Sequence, residues 1–311
     1  MRVVVTGGAG FIGANLCRRL LATDGVSEVV ALDDLSTGDA TNIDGLPVTF
    51  IEGSILDDDA LDTAFIGAGA VVHLAALGSV PRSVADPMAS HEANATGTLK
   101  VLEAARRHGN VHTIVASSSS VYGSNPALPK HEDLATRPMS PYAATKLITE
   151  GYALAYGNSY GLAVLAFRFF NVFGPLQPAG HVYAAVIPSF VDAALSGMPL
   201  TVHGDGTQSR DFTYVGTLTA VLADAVVRKV TSAEPVNLAF GTRISLLQVI
   251  AELEQLVGHP LERHHVEPRA GDVPHSQADN ARLLRLFPDI SPVAFADGLR
   301  ATVQWMRSTK S

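Results

Sequence analysis

The sequence predicts an α/β protein with a doubly wound parallel sheet and a smaller, interleaved C-terminal α/β domain. In the N-terminal half, strand-like and helix-like segments alternate, as parallel strands joined by crossover helices require. The strands are continuous apolar runs, such as Val3-Val4-Val5, which is typical of strands buried on both faces. After Asn171 prolines become frequent and helical patterns dominate, which indicates a second structural unit.

The elements follow from these patterns in chain order. Apolar runs predict strands over residues 2–6, 28–33, 48–52, 70–74, 112–117 and 163–169. Helical spacing predicts helices over residues 11–22, 58–65, 87–108 and 141–160, and then over 185–196, 246–257, 280–287 and 295–307. We expect the first domain to cover residues 1–173, with a strand near 236–239 returning to its sheet, and the second to cover residues 174–311.

A glycine-rich turn follows the first strand directly, in residues 6–13 (TGGAGFIG). Its glycines fit G-x-G-x-x-G from Gly8 and also G-x-x-G-x-x-G from Gly7, and both registers include Gly10 and Gly13. A pyrophosphate needs a tight turn, a backbone without Cβ atoms and the amides of a helix N-terminus, and this segment supplies all three. The strand before it and the helix after it predict a dinucleotide-binding domain of Rossmann type.

Asp33 ends the second predicted strand, 20 residues beyond Gly13. A carboxylate at this place accepts hydrogen bonds from the ribose hydroxyls of adenosine. No Lys or Arg lies between Asp33 and Thr41 to receive a 2′-phosphate, so the sequence favours NAD over NADP as the cofactor.

Composition argues against several classes of partner. The chain has 311 residues and a formal net charge of -8, which argues against a broad basic surface for nucleic acid. Its apolar stretches are too short to span a membrane, and the glycine turn comes too early for the apolar core of a signal peptide. Cys17 is the only cysteine, and none of the 11 histidines has metal-ligand spacing. We expect a cytoplasmic protein without a metal, a membrane span or a nucleic-acid partner.

Tyr142 and Lys146 form a candidate acid–base pair. Ser140 is a natural N-cap and Pro141 a natural first residue of the helix over 141–160, so the pair lies on one face, one turn apart. A phenol with a pKa of about 10 is a poor base at neutral pH. An ammonium nearby and the positive nicotinamide of an oxidised cofactor would stabilise the phenolate. Alone, such a pair is more typical of a helix surface. Its interpretation as an acid–base pair therefore depends on the dinucleotide turn.

Four serines, Ser117 to Ser120, stand at the end of an apolar strand. The carboxyl ends of parallel strands line one crevice, so we expect Asp33, Ala75, Ser118 and Phe170 to lie along it. A hydroxyl there can hold a substrate oxygen while Tyr142 removes its proton. A serine run by itself is usually a polar loop.

Together these motifs resemble an extended short-chain dehydrogenase/reductase, and within that superfamily the NAD-dependent epimerases and dehydratases of nucleotide sugars. Further stretches match in order along nearly the whole chain: residues 73–76 (HLAA), 168–174 (RFFNVFG), 204–212 (GDGTQSRDF) and 269–272 (RAGD). The likeness is nearest to the UDP-glucose and UDP-N-acetylglucosamine 4-epimerases. It implies NAD as cofactor, a UDP-sugar as substrate, and a homodimer formed by the helices over 87–108 and 141–160.

The resemblance also implies roles for matching residues. Ser118, Tyr142 and Lys146 take the catalytic positions. The implied cofactor-binding residues are Gly7, Gly10, Phe11, Ile12, Gly13, Asp33, Ser54, Ile55, Ala75, Asn94, Tyr142 and Lys146. The implied substrate-binding residues are Ser79, Ser118, Ser119, Asn171, Arg210, Arg269 and Ser276, of which Asn171 and the two arginines face the diphosphate. Two positions depart from the family: Ser54 replaces an Asp that contacts adenine, and Gly78 replaces a lysine that some hexose epimerases direct at the cofactor.

Two missing side chains narrow the implied reaction. In the 4,6-dehydratases the catalytic hydroxyl is followed by Asp-Glu, whereas this chain has Ser119 and Ser120, which cannot act as acid and base near neutral pH. The decarboxylases usually keep the Glu, so Ser120 counts against them as well, though less firmly. This leaves 4-epimerisation through a transient 4-keto sugar. Ser276 stands where hexose-restricted epimerases have Tyr, so we expect turnover of UDP-GlcNAc and UDP-GalNAc besides UDP-Glc and UDP-Gal.

Three alternatives stay open at this point. UDP-glucuronate is an alternative substrate, with Arg82 as the partner of its carboxylate. Dehydration or decarboxylation of a nucleotide sugar is an alternative reaction. A catalytically silent NAD-binding regulator is an alternative of another class, although such a protein would not need to keep Ser118, Tyr142 and Lys146.

Overall fold

The computed structural model of the protein describes residues 1–179, 184–267 and 274–310. Within these residues the strands are β1 (Arg2–Thr6), β2 (Glu28–Asp33), β3 (Thr49–Glu52), β4 (Ala68–His73), β5 (His112–Ser118), β6 (Val164–Phe169), β7 (Asn171–Phe173), β8 (Leu200–His203), β9 (Ser209–Arg210), β10 (Phe212–Tyr214), β11 (Val236–Leu238), β12 (Ile244–Ser245) and β13 (Arg263–Val266). The helices are α1 (Phe11–Leu21), α2 (Asp58–Phe65), α3 (Val80–Ala85), α4 (Pro87–His91), α5 (Gly97–Arg107), α6 (Pro141–Tyr160), α7 (Val186–Leu195), α8 (Val215–Arg228), α9 (Leu246–Val257), α10 (Ala281–Leu286) and α11 (Phe295–Lys310). Short 3-10 turns lie at Ala40–Ile43 and Ser119–Tyr122, and a π-helical segment, Glu92–Thr96, joins α4 to α5.

A parallel sheet of seven strands lies at the centre, in the order β11-β6-β5-β4-β1-β2-β3. Alternate residues of β1 face opposite layers, because successive side chains of a strand point to opposite faces. Val3 and Val5 pack with α1 and α8, whereas Val4 packs with α2, α5 and α6. Helices therefore cover both faces, which explains the continuous apolar runs and confirms the predicted doubly wound fold.

The smaller C-terminal part has an apolar core of its own. In it, α7, α9 and α11 pack against the short strands β8 and β10. Strands β7 and β10 pair in parallel, as do β8 and β13, while β9 and β12 pair antiparallel. Strand β11 follows most of these elements in sequence but pairs with β6 in the main sheet. The two parts are interleaved, as predicted; the boundary after residue 173 stays a prediction.

Most predicted elements lie within two residues of the observed ones, because apolar periodicity is a local property of the chain. The helix expected over residues 87–108 is a difference, since the π-helical segment Glu92–Thr96 interrupts it. Helix α8 is a second difference, because no helix is predicted over residues 215–228. It buries apolar residues on several sides between α1 and β10, so it lacks the alternating polar face that marks a surface helix.

Candidate active site

A cavity of about 660 Å³ lies at the carboxyl edge of the sheet. The predicted site residues that line it are Gly7, Gly10, Phe11, Ile12, Gly13, Asp33, Ser54, Ile55, Ala75, Ser79, Ser118, Tyr142 and Lys146. The predicted site residues that do not line it are Asn94, Ser119, Asn171, Arg210 and Ser276. Arg269 lies outside the described residues. The structure thus gathers the predicted catalytic residues, and the predicted cofactor residues except Asn94, in one cavity. Among the described residues predicted to face the diphosphate, Asn171 and Arg210 lie outside its lining.

The glycine turn between β1 and α1 has no room for side chains. Gly7 has a φ of +70°, and a Cβ there would lie 2.8 Å from the backbone N of Ala75. A Cβ on Gly13 would lie 1.9 Å from the backbone O of Gly7. Gly10 is the N-cap of α1 and offers no side-chain acceptor to the amides of the first turn. The turn therefore fits the pyrophosphate of NAD, which approaches the backbone closely and accepts hydrogen bonds from such amides.

Asp33 lies at the end of β2, where its carboxylate accepts hydrogen bonds from the backbone N of Ala9 and of Leu35, both at 2.9 Å. Burial raises the pKa of Asp33, and these hydrogen bonds oppose the rise. Gly38 packs on the same carboxylate, since a Cβ there would lie 2.8 Å from Oδ1. Asp34 also lines the cavity here. Two carboxyl groups at this place suit ribose hydroxyls and repel a 2′-phosphate, which fits NAD better than NADP.

Ser118, Tyr142 and Lys146 meet in the same cavity. Ser118 ends β5, shares a hydrogen bond with the Tyr142 side chain, and accepts another from the backbone N of Ser120 at 3.1 Å. Lys146 follows Tyr142 by one turn of α6, and its Nζ lies 6.0 Å from the centre of the Tyr142 ring. The same Nζ donates to the backbone O of Ala116 at 2.9 Å. This is the arrangement that the sequence predicts for an acid–base site.

Burial shifts the pKa values of both titratable groups. It lowers the pKa of Lys146 to about 8. It raises the pKa of Tyr142, and the hydrogen bond with Ser118 opposes that rise. In the protein alone, burial thus disfavours the phenolate. The activation predicted from the sequence therefore depends on the positive charge of Lys146 and of an oxidised cofactor.

Two polar contacts hold the backbone of Tyr142. Its N donates to Ser83 Oγ at 3.0 Å, and its O accepts from Thr145 Oγ1 at 2.8 Å. Asn94 Nδ2 donates to Thr145 Oγ1 at 3.0 Å, and Asn94 Oδ1 accepts from the backbone N of Leu77 at 2.7 Å. Asn94 lies in the π-helical segment, a geometry that is frequent at functional sites. Asn94 therefore links Leu77, which lines the cavity, to Thr145 of α6.

Two residues near the site, Ser83 and His73, had no predicted role, although His73 begins the matching stretch over residues 73–76. The contact of Ser83 with Tyr142 spans 59 residues, so no local pattern marks it. His73 is buried between Thr6 and Thr98, with ring nitrogens 2.8 and 3.0 Å from their hydroxyl oxygens. Burial, and then the charge of Lys146, lower the pKa of His73 to about 3, so the ring is neutral. In the sequence, the buried position of His73 is indicated by its place at the end of an apolar strand.

The residues predicted to face the diphosphate and the sugar lie in the C-terminal part. Asn171 begins β7, and its Nδ2 donates to the backbone O of Asp211 at 3.3 Å. Arg210, in β9, donates to the backbone O of Ser209 at 2.9 Å. The backbone N of Ser276 donates to the same O of Ser209 at 3.0 Å. Arg210 and Ser276 therefore lie side by side, and their roles in substrate binding stay predictions.

Asp211 fixes the segment that carries Ser276. It is fully buried, and its carboxylate accepts hydrogen bonds from Gly241 N, Ala278 N and Thr242 Oγ1, each at 3.0 Å. Burial raises the pKa of Asp211, and these hydrogen bonds oppose the rise. One carboxylate thus joins three chain segments, although a sequence pattern alone shows only that it follows an arginine.

Two kinds of feature are absent from the described part of the chain. None of its helices is both long enough and apolar enough to cross a membrane. Nor do residues 1–179, 184–267 and 274–310 hold a group of three or more His, Cys, Asp or Glu placed to bind a metal ion.

Comparison with known proteins decides the family. Residues 3–239 match the model of the NAD dependent epimerase/dehydratase family. The chain belongs to this family. The predicted resemblance, the class of enzyme and the NAD cofactor are thereby confirmed.

Individual relatives match along the whole chain. It is 38% identical to the UDP-glucose 4-epimerase of Mycolicibacterium smegmatis, over 99% of both chains. A solved UDP-N-acetylglucosamine 4-epimerase from Methanobrevibacter ruminantium, in complex with UDP-N-acetylmuramic acid, superposes with a TM-score of 0.92 at 36% identity and covers 99% of this chain and 98% of that one. A UDP-glucuronic acid 4-epimerase from Bacillus cereus, in complex with UDP-glucuronic acid and NAD, gives a TM-score of 0.89 at 31% identity, over 99% and 100%.

Proposed function

We propose that this family member interconverts UDP-GlcNAc and UDP-GalNAc, and also UDP-Glc and UDP-Gal, by 4-epimerisation. The observation that carries the proposal is the meeting of Ser118, Tyr142 and Lys146 in the cavity that the glycine turn and Asp33 also line. The similarity to 4-epimerases of UDP-sugars supports it. The predicted cytoplasmic location stays a prediction.

The residues that would hold NAD are those that line the cavity from the glycine turn to Asp33. Amides after Gly10 would bind the pyrophosphate, Asp33 the adenosine ribose, and Ser54 the adenine end. Lys146 and Tyr142 would contact the nicotinamide half. When bound, NAD supplies the reversible oxidation of the sugar at C4.

The side chains of the site move the proton. Ser118 Oγ positions the C4 hydroxyl, and the Tyr142 phenolate accepts its proton as that carbon becomes a ketone. The Lys146 ammonium stabilises the phenolate, because opposite charges at close range favour the ionised form. After the 4-keto sugar has turned its other face, Tyr142 returns the proton to the re-formed hydroxyl. No proton is gained or lost over the cycle.

The neighbours of Ser118 favour epimerisation over elimination of water. Expelling water from the sugar needs an acid and a base beside the catalytic hydroxyl. Ser119 and Ser120 occupy those positions, and the Ser120 Oγ is buried without a hydrogen-bond partner among the described residues. A hydroxyl in that state supplies neither function. Product mass separates the reactions, since epimerisation leaves it unchanged.

The Tyr142→Phe variant tests the proposal. It removes the base and keeps the ring, so turnover should fall by at least about 100-fold while NAD stays bound. The measurement follows the anomeric NMR signals of UDP-GlcNAc and UDP-Glc. Tyr160→Phe is the matched control, because Tyr160 is exposed at the far end of α6. Normal turnover in Tyr142→Phe would refute the assignment, and NAD binding without turnover by the wild type would favour the regulator.

We propose further that the protein is a homodimer, as the resemblance predicts. A groove between the segment His91–Leu99 and α6 is lined by Leu99, Ile148 and Tyr152 among others, and Met88 nearby is 67% exposed. Two copies joined at this face would bury it in a four-helix bundle. Sedimentation of the wild type and of a Tyr152→Glu variant tests this, and a wild-type monomer would exclude it.

A further inference from the structure

Arg82 is a charged residue of the cavity wall that the mechanism does not use. It lies in the short helix α3, and it lines the cavity together with Ser79, Ser118 and Tyr142. Its neighbour Ser83 accepts the hydrogen bond from the backbone N of Tyr142 at 3.0 Å. Arg82 is therefore anchored beside the start of α6, at the catalytic residues.

The guanidinium of Arg82 has no partner within the described part of the chain. Some arginines of the chain have carboxylate partners: Arg168 lies 2.6 Å from Glu150, and Arg107 lies 2.8 Å from Asp62. The protein has 30 acidic and 22 basic residues, so an unpaired arginine is not explained by a shortage of carboxylates. Lys146 is the other cation among the described lining residues, and its Nζ already donates to Ala116. Arg82 is half-buried, and a guanidinium that has no acceptor in the protein is a site for a ligand oxygen.

The cavity wall beside Arg82 has room for a substituent. Gly78 lines the cavity, and a Cβ built on it would have no atom within 4 Å. The group that fits this space is one with an oxygen acceptor, because a guanidinium donates from a rigid planar fork and accepts nothing. The hydroxyls of a plain hexose can each accept a single bond, but they do not match the two parallel donors of the fork as a carboxylate does. A uronate offers a carboxylate, and an N-acetylated sugar offers an amide carbonyl.

We infer that Arg82 is a specificity-determining residue that binds an acyl oxygen of the sugar. The inference rests on the proposed function, since it deepens the choice among UDP-sugars. The diphosphate is common to all of them, and the residues proposed to grip it, Arg210 and Arg269, belong to the C-terminal part. Arg82 belongs to the N-terminal part and lines the same cavity as Tyr142, where the reacting sugar must bind.

The test compares three sugars with the same full-length, NAD-loaded protein. The ligands are UDP-glucuronate, UDP-GlcNAc and UDP-Glc, and both the dissociation constant and kcat/KM are measured. Arg82→Met removes the donors and keeps much of the side-chain volume, whereas Arg82→Lys keeps the charge and loses the fork. Arg285→Met is the matched control, because Arg285 is exposed on α10 and carries the same charge.

Arg82→Met should weaken binding of at least one acyl-bearing sugar by about 10- to 100-fold, the usual range for a charged hydrogen bond. Binding of UDP-Glc should change by less than about threefold, as for a surface substitution. Arg82→Lys should lie in between, and unfolding should be unaffected in all variants. A loss confined to UDP-glucuronate identifies the carboxylate as the ligand group, and a loss confined to UDP-GlcNAc identifies the acetamido carbonyl.

Two results would overturn the inference. An equal loss of affinity for all three sugars would indicate that Arg82 binds the diphosphate. Unchanged affinity for all three would show that Arg82 binds none of them. Both are distinguishable from a failure of the proposed function. If the wild type binds these sugars but epimerises none, the proposed reaction falls while the ratios of dissociation constants still decide the role of Arg82.

Discussion

Replacing Gly13 by alanine should destabilise the protein, although helix propensity alone predicts the opposite. Gly13 lies within α1, where alanine is favoured over glycine by about 1 kcal/mol. The added Cβ would, however, lie 1.9 Å from Gly7 O, 2.8 Å from Gly7 C and 2.9 Å from Gly8 Cα. Real Cβ contacts are not shorter than 3.0 Å, so the Gly7 carbonyl would have to move by about 1.1 Å, the difference between 3.0 and 1.9 Å.

The cost of that movement decides whether Gly13→Ala stabilises or destabilises the protein. Forcing a methyl group into a packed site costs about 1–3 kcal/mol. Here the neighbours are backbone atoms that cannot change rotamer, so we expect the upper end, and a net loss of about 2 kcal/mol after helix propensity is subtracted. The displaced turn is also the one that fits the pyrophosphate. NAD affinity should therefore fall by at least about tenfold, which corresponds to 1.4 kcal/mol.

The assay is urea unfolding with and without NAD, together with a direct titration of NAD. Gly10→Ala is the matched control within the same turn. Its Cβ would have one near neighbour, Gly7 O at 3.3 Å, so it should weaken NAD binding while leaving the unfolding of the NAD-free protein nearly unchanged. If Gly13→Ala is as stable as the wild type or more so, the steric reasoning about this turn is wrong.

Three further predictions concern a buried lysine, a buried ion pair and the size of the substrate. Burial lowers the pKa of Lys146 to about 8 from 10.5, so the unfolded chain holds more protons between those values and the free energy of unfolding should rise by about 3 kcal/mol across that window. Lys146→Met should abolish this rise in NAD-free protein, and an identical pH dependence in both proteins would contradict the burial argument. Glu150→Ala leaves Arg168 as an unpaired buried charge and should lower the free energy of unfolding by about 3–5 kcal/mol, as measured by urea unfolding; a loss below about 1 kcal/mol, typical of a surface pair, would speak against it. Ser276→Tyr should reduce kcat/KM for UDP-GlcNAc more than for UDP-Glc, and equal losses would argue against Ser276 as the residue that sets substrate size.

The fold and the cofactor turn were predictable because their signals are local. Gly7, Gly13 and Asp33 are fixed by the spacing of a strand, a turn and a helix, and Tyr142 and Lys146 by one helical turn. Such patterns survive in the sequence whatever surrounds them.

The hydrogen bonds that support the site were not predictable, because they join distant segments. The bond between Ser83 and Tyr142 spans 59 residues, and that between Asn94 and Thr145 spans 51. A serine or threonine that accepts such a bond looks like any other in the sequence. The π-helical segment that carries Asn94 likewise has the composition of an ordinary helix, and its geometry depends on what packs against it.

Strand β11 has a consequence for how copies of this protein can associate. It forms one edge of the main sheet, where unpaired backbone groups invite a strand from another molecule. Here it is only Val236–Leu238, fully buried, and the backbone N of Asn237 donates to Glu132 Oε1 at 2.9 Å while its side chain accepts from Tyr122 Oη at 2.7 Å. Strand addition at this edge is therefore blocked. Removing the Glu132 carboxylate would free a backbone donor there, and the expected failure is aggregation by edge pairing, with the catalytic side chains still in place.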